Sequence, residues 1–233
     1  MKFVIGNWKM NGNMDEKAAM IHALSEIQTE NRVILCVPFT LLGGDNGKIR
    51  IGAQDISQHE NGPYTGDISG QMLSDMGAKY VIVGHSERRL NHHETNEIVH
   101  AKAAAAIRHN LIPIICVGET LDEHRTGKTT TVVRDMLNKC LPDTRTEFIV
   151  AYEPRWAIGT GLTPNISDTA AVFQMIFEYL NAHGHGGTPI VYGGSINQSN
   201  AAAFASVPHV DGLLIGGASL KTETFLPIIS AIK

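Results

Sequence analysis

Short apolar runs, many of them β-branched, alternate along this chain with stretches of helical period. The runs read as strands at Phe3–Trp8, Val33–Val37, Arg50–Gln54, Tyr80–Val83, Pro113–Val117, Phe148–Tyr152, Pro189–Tyr192 and Gly212–Ile215. Most are continuously apolar, as strands covered on both faces must be. Helical patterns lie near Met14–Thr29, Thr95–His109, Thr129–Leu141, Ser167–His183, Asn197–Ser206 and Thr222–Ile232. Ser167-Asp168 opens its helix with a capping residue and an acid in the first turn. Eight strands separated by crossovers make a parallel sheet, and eight is the number that closes a barrel. An open doubly wound sheet has the same spacing. The α/β pattern and a length of 233 residues suit a single (β/α)8 barrel domain over 1–233.

One unit breaks the rhythm. Between the second and third strands, the segment from Phe39 to Ile49 has room for about one helical turn. Gly43, Gly44 and Gly47 discourage more. The second helix should be shortened and the barrel wall thinner there.

Composition narrows the function classes. A formal net charge of −4 gives nucleic acid no electrostatic footprint. An anionic substrate would need local positive potential from a lysine and from backbone N–H groups. No stretch of about 18 apolar residues occurs, so no membrane span is expected. The start turns polar too early for a signal peptide, which makes the cytoplasm the expected location. The three cysteines are odd in number, and Cys36 and Cys116 lie in apolar runs; they read as buried thiols. His92-His93-Glu94 and His183-Gly184-His185 lack a third ligand at helical spacing, so no metal is expected. Gly159-Thr160-Gly161 lacks the third glycine of a dinucleotide fingerprint.

Four stretches carry candidate chemistry. Phe148–Tyr152 ends in Glu153, and Pro154 stops strand pairing at once. The apolar loop Arg155-Trp156-Ala157-Ile158-Gly159-Thr160-Gly161 follows. A general base on a rigid strand end beside a mobile lid would look like this; alone, Glu-Pro is also an ordinary surface turn. Asn7 and Lys9, two apart at the end of the first strand, can share a face and point into a barrel mouth. His85 sits just past the fourth strand in Val83-Gly84-His85-Ser86-Glu87-Arg88. Gly193-Gly194-Ser195 and Gly216-Gly217 follow the last two strands, where phosphate sites recur in such barrels.

Together with Gly6-Asn7-Trp8-Lys9 and Tyr192-Gly193-Gly194-Ser195, these stretches resemble the triosephosphate isomerase family, in the same order and over nearly the whole chain. The resemblance implies a TIM barrel and an isomerase of glycolysis and gluconeogenesis. Its reaction interconverts dihydroxyacetone phosphate and D-glyceraldehyde 3-phosphate through an enediolate, without cofactor or metal. It implies Glu153 as the base and Lys9 as the cation that holds substrate and stabilises negative charge. His85 would be a neutral electrophile beside a helix N-terminus, an arrangement this family itself exemplifies. Asn7, Gly159, Ser195, Gly216 and Gly217 would bind substrate. The polar loop Gly62–Asp67 would reach into a second subunit, with Thr65 at its tip and Glu87 receiving it, in a two-fold homodimer. Relatives usually have an aliphatic residue where this chain has Arg155. Two rivals stand beside this reading. A barrel lyase or aldolase on another sugar phosphate would need, for imine chemistry, a lysine in a late strand, and strands five to eight contain none. A non-catalytic phosphate-binding scaffold would have lost at least one of Lys9, His85 and Glu153.

Overall fold

In the computed structural model, which describes residues 1–143, 146–158 and 164–232, the strands pair in chain order and close on themselves. They are β1 Phe3–Asn7, β2 Arg32–Cys36, β3 Ile49–Ala53, β4 Tyr80–Val83, β5 Ile112–Val117, β6 Ile149–Tyr152, β7 Ile190–Tyr192 and β8 Gly212–Ile215. Each agrees with its sequence expectation to within one residue at either end. All pairings are parallel, and β8 returns to β1 with Gly212 opposite Phe3. That closure needs the glycine, because a Cβ at 212 would fall 2.2 Å from the Phe3 carbonyl oxygen. An open sheet is thereby set aside.

The unbroken apolar runs serve two layers. Alternate residues such as Ile5, Ile34, Ile82, Ile114 and Ile149 fill the barrel interior. Their neighbours, including Val4, Leu35, Val81, Ile115 and Val150, pack outward against the helices. Those helices are α1 Met14–Glu26, α2 Gly70–Asp75, α3 Ser86–Asn91, α4 Asn96–Arg108, α5 Leu121–Arg125, α6 Thr129–Cys140, α7 Ile166–Ala182, α8 Ala201–Ala205 and α9 Thr222–Ala231. Three of them, α2, α3 and α5, have no counterpart in the sequence reading. At five or six residues they are too short to express a helical period. The helix expected over Asn197–Ser206 shrinks to α8. Asn197 instead closes a side-chain turn, its Oδ1 accepting from the Ser199 N–H at 2.8 Å.

The connection from β2 to β3 holds a single 3₁₀ turn, Phe39–Leu41, as the glycines foretold. The wall is not opened by this shortening. Leu41 and Leu42 fold onto the core, and Ile49 and Ile51 of β3 stay buried. Cys36, Cys116 and Cys140 are free and buried. No helix among the described residues is long and apolar enough to cross a membrane.

Candidate active site

A small cavity of about 170 Å³ opens at the C-terminal ends of the strands. It is lined by Asn7, Lys9, His85, Glu153, Ser195, Gly216 and Gly217, with Ile158 and Leu214 on its apolar side. Pockets for drug-sized ligands run from about 300 Å³ upward, so this one suits a very small molecule.

Asn7 and Lys9 both line the cavity, but not through strand alternation. β1 ends at Asn7, and Lys9 lies beyond it with φ of +54°. A left-handed conformation is uncommon for a residue other than glycine, and strain of this kind costs about 1–3 kcal/mol. Asn7 helps to hold it, its side-chain oxygen accepting the Lys9 N–H at 3.0 Å. The Lys9 ammonium is paired with Glu87 at 2.5 Å.

His85 is the N-cap of α3, a helix the sequence reading did not anticipate. The Glu87 N–H donates to His85 Nδ1 at 3.3 Å. An accepting Nδ1 has no proton, so the neutral ring carries its proton on Nε2. That nitrogen lies 3.3 Å from Oε1 of Glu153. The other carboxylate oxygen of Glu153 accepts from the Ser86 N–H at 3.3 Å, at the positive end of the same short helix. Glu153 is 2% exposed.

Two glycines make room for Glu153. A Cβ on Gly118 would meet its carbonyl oxygen at 1.8 Å, and one on Gly193 would meet its Cγ at 2.7 Å. Gly193, read from sequence as part of a phosphate loop, therefore has a steric duty toward Glu153. Gly194 likewise leaves space for the Tyr192 hydroxyl, which its Cβ would approach to 2.0 Å. The Cys116 thiol lies against Glu153. Burial pushes it well above its usual range, and the neighbouring carboxylate adds to the shift.

Beyond Glu153 the chain enters a 3₁₀ turn, Arg155–Ala157. Its anchor is Glu119, a fully buried carboxylate just past β5 that the sequence reading missed. Glu119 accepts from Trp156 Nε1 at 2.9 Å and from the Tyr152 hydroxyl at 3.1 Å. Burial, and then the Glu119 carboxylate, push the Tyr152 phenol well up. His124 stacks on Trp156 at 4.4 Å. A carboxylate just past a strand end, here after Gly118, was the available signal, close to the one that drew attention to Glu153. Arg155 is half-buried; burial lowers its guanidinium, and nearby Arg89 lowers it further. Ser195 Oγ donates to the Ala157 carbonyl at 2.5 Å, tying the strand-seven loop to the hinge. Gly159 lies outside the described residues.

Thr65 lies away from the cavity lining, in a run of exposed residues over 60–67. The loop has its own bracing: Ser57 Oγ donates to Asp67 at 2.7 Å, and Tyr64 stacks on His59 at 3.9 Å. No group of three or more His, Cys, Asp or Glu that could hold a metal ion occurs among the described residues.

Comparison with known proteins points one way. The family model described as triosephosphate isomerase matches residues 2–232. A triosephosphate isomerase of Bradyrhizobium sp. is 43% identical over 97% of this chain and 95% of its own length. One of Acidiphilium cryptum is 43% identical over 99% and 98%. The crystal structure of triosephosphate isomerase from Bartonella henselae superposes with a TM-score of 0.90, at 40% identity over 99% of this chain and 98% of that one. A match along the whole barrel, loops that build the mouth included, shows that this chain belongs to the triosephosphate isomerase family and interconverts dihydroxyacetone phosphate and D-glyceraldehyde 3-phosphate, a step of glycolysis.

Proposed function

We propose that Glu153 is the base of this isomerisation, with His85 and Lys9 as its electrophilic partners. The observation that carries this is the convergence of the three on one cavity of about 170 Å³. Glu153 takes the proton from the carbon beside the substrate carbonyl and returns it to the neighbouring carbon. General base catalysis of this kind contributes about 10²–10⁴-fold. The Nε2–H of His85 donates to the carbonyl oxygen as negative charge gathers there. Lys9 adds a full positive charge, and a well-placed group of this kind is worth about 3–4 kcal/mol. Asn7 keeps Lys9 in its strained conformation and contacts substrate. Ser195, Gly216, Gly217 and the lid residue Gly159 hold the phosphate through backbone N–H groups and the Ser195 hydroxyl. The lid over the mouth keeps the enediolate from losing its phosphate to water.

The whole chain, 1–233, serves as one barrel domain, and the enzyme works as a cytoplasmic homodimer in glycolysis and gluconeogenesis. Support for pairing comes from exposed apolar side chains: Met10, 95% exposed, and Phe39 line a cleft beside Lys9, and Tyr64 in the Thr65 loop and Leu90 are exposed as well. The cleft, of about 540 Å³ and lined also by Glu87 and Asn91, suits the Thr65 loop of a second copy.

Glu153→Gln tests the central assignment. Turnover should fall by several powers of ten while a substrate analogue still binds. A Gln variant with near-native turnover would overturn it.

A further inference from the structure

The opposite end of the barrel holds a second concentration of charge with no part in the isomerisation. Arg32 begins β2, Arg50 is the second residue of β3, and Tyr80 begins β4. All three line a cavity of about 520 Å³ at the N-terminal ends of the strands. Lys48, on the short connection that replaces the second helix, stands at its rim.

The two guanidinium groups are only loosely compensated. Arg32 Nη1 is 3.8 Å from a carboxylate oxygen of Glu147, whose side chain is 57% exposed. Arg50 Nε is 3.4 Å from Asp45, which already accepts the Gly47 N–H at 2.9 Å. Neither contact is the two-bond fork in which arginine holds a carboxylate or phosphate best. Arg32 is nevertheless oriented, its Cζ lying 5.1 Å over the Phe3 ring. The Tyr80 side chain is almost wholly buried, and Arg32 lies beside its hydroxyl. The Lys48 ammonium donates to the Ser25 and Ile27 carbonyls, so it adds positive charge at the rim while the two guanidinium groups meet the carboxylates of Glu147 and Asp45. One oriented fork, a second guanidinium with spare donors, a hydroxyl and an open cavity form a receptor for an oxyanion.

We propose that this floor cavity binds a small organic polyanion, through the forks of Arg32 and Arg50, independently of the catalytic mouth. The shared chemistry is a pair of oxyanion groups, offered either by a polycarboxylate or by a phosphate compound.

Citrate and methylenediphosphonate, a stable compound with two phosphoryl groups, are titrated calorimetrically at constant ionic strength into the protein with its mouth filled by a non-reactive substrate analogue. At least one should bind, and the stronger names the source. Arg32→Gln and Arg50→Gln should each weaken that binding about 10-fold, the loss of roughly one charge-assisted contact. Should either unfold, as a melting curve would reveal, Arg32→Lys and Arg50→Lys keep the charge and remove the fork, and should weaken binding as well. Glu147→Gln should tighten binding, because it removes a competitor for Arg32. Absence of binding by both anions at 10 mM, a concentration that would populate even a site of about 1 mM affinity, overturns the proposal. So does an affinity indifferent to all of these substitutions.

Discussion

Gly193→Ala probes how closely Glu153, the proposed base, is held. The added Cβ would lie 2.7 Å from Glu153 Cγ, 3.3 Å from Oε1 and 3.5 Å from Cδ. Carbon atoms in contact settle at about 3.5–4.0 Å, so the side chain must retreat by about 0.8 Å or more. The backbone cannot take up that shift, because it is clamped on the far side by Gly118 and by the Glu153 N–H donating to Val117 at 2.8 Å. A misplacement of about 1 Å in a reacting group can cost about 10²-fold, or about 2.7 kcal/mol in the barrier. We expect kcat to fall by about that factor while KM stays within a few-fold, since Lys9 and the phosphate groups are untouched. Residue 193 is not among those with positive φ, so the alanine backbone itself is unstrained. Steady-state kinetics in both directions, with a melting curve to establish folding, is the assay. A folded Gly193→Ala enzyme with kcat within about threefold of the parent would refute the claim that this contact positions the base.

Three further outcomes are expected. Lys9→Met should damage both KM and kcat, because it removes a charge used in ground and transition state, whereas His85→Gln should damage mainly kcat; unchanged constants for Lys9→Met would remove it from the site. Burial raises Cys36, Cys116 and Cys140, so their thiolate forms are scarce at neutral pH; a thiol reagent should modify none of them until the protein is unfolded, and fast labelling of the native enzyme would contradict their burial. Sedimentation at micromolar concentration should give a dimer, and a fully active monomer would refute dependence of the site on a partner loop.

Much of this was legible in the residues, for physical reasons. Strands buried on both faces leave unbroken apolar runs, and all eight could be found from those. Closure could not: it depends on Gly212 fitting against the Phe3 carbonyl, a contact between residues at opposite ends of the chain. Long helices were found from their period, whereas α3, at six residues, was not. That omission left unseen which helix caps at His85, since the next helical pattern in the sequence starts near Thr95 and the structure starts one at Ser86. Lys9 lines the mouth for a reason strand alternation does not give, since β1 stops at Asn7. Glu119 escaped because its partners, Tyr152 and Trp156, lie more than thirty residues away in sequence.

The polar groups of the mouth are mutually engaged, and the way each is held says which can yield to substrate. Lys9 is paired with Glu87, whose side chain is 45% exposed. If Lys9 takes the substrate dianion as proposed, Glu87 can move into water, so the lysine exchanges one negative partner for another and neither charge is stranded. Glu153 has no such exit. At 2% exposure it can leave neither the Ser86 N–H nor His85 for solvent, and Gly118 and Gly193 fix the space it occupies. In the proposed mechanism, binding therefore rearranges Lys9 and leaves Glu153 walled in. The acidic balance of the chain does not prevent this, because long-range repulsion is screened within about 8 Å at physiological salt while the attraction from Lys9 acts at contact. The proposed mechanism, in which a mobile anion meets a fixed base, calls for this division: an exchangeable ion pair at the rim, and a carboxylate walled in by glycines behind it.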